Sequence, residues 1–97
     1  MTTPLSSQSL NDVTFPTAGV SSGYAIAEVD PFLDQVAQAL RFYEDGSAEG
    51  AEPPLTGRDI ATARFSLKSF RNGYRVDPVD DILELAQKTL EYYEARV

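Results

Sequence analysis

The sequence predicts a mainly α fold built from two tandem repeats, paired with each other as a pseudo-dimer with coiled-coil-like packing. Residues 23–30 (GYAIAEVD) return fifty positions later as residues 73–80 (GYRVDPVD). Both segments lead into a stripe of apolar residues at steps of three and four, which indicates an amphipathic helix. A unit of about forty residues buries too little surface to fold alone, so each stripe needs a partner stripe.

The alignment at fifty residues needs no gap and defines the repeats. Repeat 1 spans residues 4–44, repeat 2 spans residues 54–97, and residues 45–53 form a Gly-, Pro- and acid-rich linker that we expect to be flexible. The repeat-defining identities are Phe15 and Phe65, Gly23 and Gly73, Tyr24 and Tyr74, Val29 and Val79, Asp30 and Asp80, and Leu33 and Leu83.

Each repeat begins with a short helix. In repeat 2, Thr56 and Asp59 have the spacing of a capping box. In repeat 1, either Ser6 or Ser7 could cap the corresponding helix. Asn11 and Thr14 in this first helix have low helix propensity.

A connector of about ten residues follows in each repeat, at residues 16–25 and 66–75, and we expect it to be a loop. A glycine stands directly before a tyrosine in both connectors, at Gly23 and Gly73. Such a glycine indicates either a positive φ or a close approach of two backbones. The tyrosine is expected to pack back on the helix with its hydroxyl at the surface.

The long helix of each repeat comes next. In repeat 2, Asp77 is a plausible N-cap followed by Pro78 at the first helical position. In repeat 1 the helix begins either at Asp30 or near Ala27, in which case Pro31 leaves one hydrogen bond unmade. A spacing of seven allows a coiled-coil-like seam. The linker is long enough for parallel or antiparallel pairing, and pairing between two chains as a homodimer is the rival arrangement.

Composition excludes several functions. The 97-residue chain contains neither histidine nor cysteine, so histidine catalysis, Ser-His-Asp triads and thiolate metal sites are excluded. The sequence shows no phosphate-binding loop, and we expect a non-enzymatic protein without a cofactor. The net charge of −7 argues against nucleic acid as a partner. The first residues lack the pattern of a signal peptide, and the expected location is the cytoplasm.

One part of the acidic chain is basic. Residues 58–75 contain five of the eight basic side chains and one acid, Asp59. The acids Asp77, Asp80, Asp81 and Glu84 lack the spacing of a calcium loop, so we interpret them as partners of the helix dipole. An aromatic cluster, formed by Phe42, Tyr43, Tyr92 and Tyr93, is expected to pack in the core near the helix ends.

The pattern of repeat 2 resembles the N-terminal domain of the DivIVA family of bacterial cell-division and polar-growth proteins. The matching residues are Leu55, Thr56, Asp59, Ile60, Phe65, Ser69, Phe70, Arg71, Gly73, Tyr74, Val79, Asp80 and Leu83. Repeat 1 is similar in its helix (EVDPFLD, residues 28–34) and departs from the pattern in its connector. The whole chain resembles short tandem-repeat members of the family, which are associated with actinobacteria.

The resemblance implies a scaffold protein with two crossed loops ahead of a parallel coiled coil. In the family, the loop tip presents an aromatic residue and an arginine to the membrane at division sites and poles; Phe70 and Arg71 hold these positions here. Together with Lys68 and Arg75 they form the candidate contact with an anionic membrane or a partner of the division or envelope-growth machinery, at the inner face of the membrane. Repeat 1 has Val20 and Ser21 instead.

The alternative function is that of a small helical regulatory protein, antitoxin-like or transcription-associated, that shares only the helix pattern. The sequence disfavours it, because no helix-turn-helix signature is evident and the net charge is unsuited to DNA. The alternative is a purely structural role for these residues, in which Phe70 belongs to the core and the basic side chains are solvated.

Overall fold

A computed structural model describes residues 5–19, 21–46, 52–69 and 72–96, so residues 47–51 of the expected linker lie outside the described ranges. The described part of the chain is mostly helical, as predicted, with a small three-stranded antiparallel sheet. Its elements in chain order are α1 (Ser7–Asp12), β1 (Ser22–Ala25), α2 (Ile26–Glu44), α3 (Gly57–Thr62), β2 (Leu67–Ser69), β3 (Gly73–Tyr74) and α4 (Val76–Glu94).

The two short helices begin with side-chain caps. The Ser6 hydroxyl accepts from the Ser9 amide, so Ser6 rather than Ser7 caps α1. Thr56 and Asp59 form the predicted capping box of α3, with each side chain bonded to the other residue's backbone amide. Such caps satisfy amide groups that a helix cannot pair internally.

Each short helix packs on the long helix of its own half, α1 on α2 and α3 on α4, and starts beside the end of that long helix. A glutamate in the last turn of the long helix reaches the start of the short one. Glu44 accepts from the amide and hydroxyl of Ser7 at 2.8 and 2.7 Å, and Glu94 accepts from the Gly57 amide at 2.9 Å. A carboxylate at this place satisfies free amides and interacts favourably with the helix dipole.

The predicted connector loops contain the strands, which corrects the sequence interpretation. The strand order is β2-β1-β3, with Tyr24 opposite Leu67 on one side and Tyr74 on the other. All these pairings join residues of repeat 1 to residues of repeat 2. Local sequence could not reveal them, because the hydrogen-bonding partner of each connector lies in the other repeat.

The long helices begin earlier than their capping signals predicted. Helix α4 begins at Val76, so Asp77 is its second residue and not its N-cap, and Arg75 caps it without a side-chain bond. Helix α2 begins at Ile26, which supports the start near Ala27, and Pro31 lies inside it. Helix α2 follows β1 directly, and α4 follows β3 after one residue, Arg75, whose amide is bonded to the Pro16 carbonyl at 2.9 Å. The strand pairing therefore places the helix start.

Helices α2 and α4 run side by side in the same direction. Tyr24 pairs with Tyr74 just before the helices begin, and the rings of Tyr43 and Tyr93 stack at 5.0 Å near the helix ends. The predicted stripes lie between them in a core whose members include the fully buried Val29, Val36, Leu40, Val79 and Leu90. Full burial of such side chains contributes about 1.5–3 kcal/mol each.

Gly23 and Gly73 allow a close approach of backbones. Within the described ranges positive φ occurs at Gly19 and Gly46 instead, so the second of the two predicted explanations applies. A Cβ atom at Gly73 would lie 2.5 Å from the Lys68 carbonyl oxygen. A Cβ atom at Gly23 would overlap the Tyr74 carbonyl. Only glycine permits the connectors to come this close.

We expect Gly23→Ala to lower the free energy of unfolding by about 1–3 kcal/mol, because the added methyl group must displace backbone of the other repeat. Urea denaturation of wild type and variant measures the change. Ser22→Ala is the matched control, since Ser22 is an exposed neighbour on the same strand. Equal stability of Gly23→Ala and wild type would contradict the close approach.

Candidate interaction surface

The structure places two of the four predicted contact residues on its surface. Lys68 is exposed on β2, opposite Gly23, and Arg75 is exposed between β3 and α4. Phe70 and Arg71 lie outside the described residues. Lys68 therefore lies on one strand next to β1, and Arg75 directly follows the strand on its other side.

Leu67 is an exposed apolar residue that the sequence interpretation missed. It is 60% exposed, and all three residues of β2 are exposed. The residue fifty positions earlier is Thr17. The alignment of the repeats carries a signal for this residue, since a large apolar side chain in repeat 2 replaces a small polar one in repeat 1.

A turn in repeat 1 replaces the strand that repeat 2 forms. Thr17 makes a single antiparallel bridge to Tyr74, the counterpart of the Leu67–Tyr24 pairing. The Ser21 amide then bonds back to the Ala18 carbonyl at 3.2 Å, and Gly19 has φ 66°. This tight turn ends the pairing after Thr17 and Ala18. The surfaces of the two connectors consequently differ in both chemistry and shape.

Reciprocal tyrosine–aspartate hydrogen bonds hold the connectors against the long helices. The Tyr24 hydroxyl donates to Asp80 at 2.8 Å, and the Tyr74 hydroxyl donates to Asp30 at 2.7 Å. Sequence reasoning assigned both aspartates to the helix start alone and missed this role. Within one repeat the tyrosine and aspartate are six residues apart, so only the crossing of the repeats brings the bonded pairs together.

Aromatic rings reinforce the same crossing. Phe15 packs against Tyr74 with ring centroids 5.3 Å apart, and Phe65 packs against Tyr24 at 5.4 Å. Both contacts again join the two repeats. Of the remaining repeat-defining residues, Leu83 is buried and Leu33 is partly buried against the core. Tilted aromatic pairs of this kind add about 0.5–1.5 kcal/mol beyond their buried area.

The environment of the tyrosines changes their acidity. Burial, together with the hydrogen bond to Asp30, raises the pKa of Tyr74 to about 12. The hydrogen bond to Asp80, followed by burial, raises the pKa of Tyr24. In both cases the neutral hydroxyl is favoured, because it donates to a carboxylate that would repel a phenolate.

A glutamate anchors the start of β2. The Glu28 carboxylate accepts from the Ser66 amide at 2.9 Å, while the Ser66 carbonyl accepts from the Ala25 amide, also at 2.9 Å. The bond from the Ser66 amide lowers the pKa of Glu28, and the nearby Lys68 charge lowers it further. Fifty residues later the counterpart of Glu28 is Pro78. Proline offers no carboxylate to the connector of repeat 1, so this anchor belongs to β2.

The aromatic cluster lies at the carboxyl ends of α2 and α4. Phe42 and Tyr92 each meet their neighbouring tyrosine edge-on, around the stacked Tyr43 and Tyr93. Tyr92 is 47% exposed and carries the Arg96 guanidinium 4.2 Å from its ring centroid. The cluster thus packs partly against the core, as predicted, and leaves one ring at the surface.

Other classes of site have no counterpart among the described residues. No group of three or more acidic side chains there is arranged to hold a metal ion. No helix in the same ranges is long and apolar enough to cross a membrane. Comparison of the chain with protein-family models, curated proteins and solved structures gives no match.

Stability at high pH should depend on Tyr74. A tyrosine in an unfolded chain titrates near pH 10, below the folded value of about 12. The contribution of the neutral hydroxyl is therefore complete below pH 10 and is lost as the pH rises through about 12. We expect Tyr74→Phe to be less stable than wild type near neutral pH and to lose less stability between about pH 9 and pH 11.

Urea midpoints at the two pH values measure both effects. Tyr92→Phe serves as the control, because the Tyr92 ring lies at the surface. An equally steep alkaline decline in Tyr74→Phe and wild type would show that the hydroxyl of Tyr74 does not couple folding to pH.

Proposed function

We propose that the protein is a non-enzymatic interaction module, a scaffold of bacterial cell division or polar growth, folded as an intramolecular pseudo-dimer. The supporting observation is the reciprocal crossing of the connectors ahead of two parallel long helices. Tyr24 bonds to Asp80 and Tyr74 bonds to Asp30 across that crossing. This is the arrangement that the resemblance to the DivIVA family implies for two chains, here made by one.

Paired contacts support the pseudo-dimer. Contacts between the repeats recur with both partners replaced by their counterparts fifty residues away, as for Phe15–Tyr74 and Tyr24–Phe65. Tyr43 and Tyr93 are themselves counterparts, and they stack on each other. A two-fold relation between the repeats explains such pairs, because each contact then implies a second one.

The second connector is the proposed contact surface. It carries the exposed Leu67 and Lys68, and the chain continues from there into Phe70 and Arg71. The corresponding surface of repeat 1 has Thr17 and Ala18. A pseudo-dimer can keep one connector for stability and change the other for binding, whereas a homodimer must present two identical ones.

Membrane association through this connector is expected to be weak. One basic residue near an anionic lipid surface contributes about 1 kcal/mol. A single aromatic–arginine tip on a chain of net charge −7 therefore supports weak, salt-sensitive binding. Protein partners of the division or envelope-growth machinery are the principal proposed targets, at the inner face of the membrane.

We expect the chain to be monomeric in solution, with a mass of about 10.6 kDa. Each long helix already has its partner within the chain, so a second chain is not needed to cover the apolar stripes. Light scattering combined with size exclusion over a range of concentrations measures the mass. A stable species of twice this mass would favour the homodimer.

Localisation tests the cellular role. A fluorescent fusion of the full chain is expected at division sites or poles of the bacterium that carries the gene, and to co-purify with a division or envelope-growth protein. Phe70→Ala/Arg71→Ala should lose both properties. Val20→Ala/Ser21→Ala, at the corresponding positions of repeat 1, should keep them. Diffuse wild-type signal without a division partner would instead favour the helical regulatory protein.

A further inference from the structure

Strand β2 is an edge strand whose outer backbone groups face away from the sheet. In an antiparallel ladder, alternate residues direct their backbone groups to the neighbouring strand. The Ala25 amide donates to the Ser66 carbonyl, so residues 66 and 68 face β1. Leu67 and Ser69 then direct their amide and carbonyl groups outward, and no described residue bonds to those groups through its backbone.

The connector of repeat 1 ends its strand edge with a turn, whereas the connector of repeat 2 does not. In repeat 1 the pairing ends at Ala18, whose amide bonds to the Gly73 carbonyl at 2.8 Å, and the Ser21 amide then bonds back to the Ala18 carbonyl. Proteins commonly blunt edge strands in this way, since an exposed edge is a template for further pairing. In repeat 2 the edge stays extended, with Leu67 60% exposed. The retained edge is the one whose connector also carries the basic residues.

The charge of this edge favours an acidic occupant over a second copy of the chain. Lys68 is the central residue of β2, with Arg64 shortly before it. Antiparallel pairing of two copies about this centre would place Lys68 opposite the same lysine, and like charges directly opposite each other are destabilising. Two chains of net charge −7 also repel each other. An acidic segment avoids the first penalty, because it places a carboxylate opposite Lys68.

We propose that β2 binds an extended acidic segment of a partner protein, which adds to the sheet as a further strand beside Leu67–Ser69. The inference rests on the proposed interaction function and names the partner chemistry of its second connector. Main-chain bonds to Leu67 and Ser69 supply affinity, and side chains opposite β2 supply selectivity. A carboxylate faces Lys68, and an apolar residue faces Leu67.

The geometry also fixes which peptide amides matter. Residues of an added antiparallel strand that lie opposite Leu67 and Ser69 exchange backbone bonds with them. The residue opposite Lys68 directs its own backbone away from β2. In a peptide of alternating valine and glutamate, a glutamate opposite Lys68 places valines opposite Leu67 and Ser69. The valine amides, and not the glutamate amides, must therefore be free to bond to β2.

The test uses the full chain and such a valine–glutamate octapeptide, followed by NMR titration and amide hydrogen exchange. Binding should slow exchange at Leu67 and Ser69 more than at Lys68, which already faces β1. N-methylation of the valines should abolish binding, while N-methylation of the glutamates should preserve it. A peptide with lysine in place of glutamate should bind at least about fivefold more weakly.

Two protein variants probe the edge itself. Ser69→Pro removes an outward amide, which an edge strand tolerates, and Lys68→Glu reverses the central charge. Each should weaken peptide binding by about five- to tenfold, the effect of one net hydrogen bond or charge pair. Lys88→Glu on α4 makes the same charge change elsewhere, at a side chain 69% exposed, and should leave affinity within about twofold.

Several outcomes would overturn the proposal. The first is that the wild-type protein does not bind the valine–glutamate peptide, and the second is that both N-methylated peptides bind equally well. The third is that Ser69→Pro and Lys68→Glu bind the peptide with the same affinity as the wild-type protein. Protection of Leu67 and Ser69 by raised protein concentration or by anionic vesicles, but not by peptide, would identify a second copy or a membrane as the occupant. Peptide binding combined with diffuse cellular localisation would reject the division role and retain the acidic-strand site.

Discussion

Two hydrogen bonds between a tyrosine of one repeat and an aspartate of the other hold the point where the connectors cross. Tyr24 reaches Asp80 and Tyr74 reaches Asp30, while Gly23 and Gly73 leave room for the backbones to pass. The crossing places the starts of α2 and α4 side by side, so their apolar stripes meet along the core. Without it, each half would expose a stripe that it cannot bury alone. The sheet, the helix starts and the core all follow from this arrangement.

A single chain allows its two connectors to differ in sequence and structure. Both contribute the glycine, tyrosine and phenylalanine that hold the crossing. Outside those positions they diverge: repeat 1 closes its edge with a turn, and repeat 2 keeps an exposed strand with Leu67 and Lys68. Because both lie in one chain, a change for binding in one connector need not be repeated in the other. The proposed partner site is therefore single, which distinguishes the molecule from a symmetric dimer with two equivalent sites.

Five of the fifteen acidic residues hold elements of the fold together. Glu44 and Glu94 accept hydrogen bonds from backbone amides at the starts of the short helices, and Glu28 accepts one from the amide before β2. Asp30 and Asp80 accept hydrogen bonds from tyrosine hydroxyls. A count of charges could not separate these roles from a metal site or a solvated surface, since each depends on a residue distant in sequence.

The sequence by itself determined the helices, the repeat and the residues of the core. The capping box at Thr56 and the apolar spacing around Val29 and Val79 depend on neighbours within a few residues, so local rules sufficed. Tertiary structure alone decided the sheet, the parallel direction of α2 and α4, the start of α4 at Val76, and the exposed edge at Leu67. Each of these depends on backbone or side-chain partners about fifty residues away, and a single sequence carries no rule for which connector meets which.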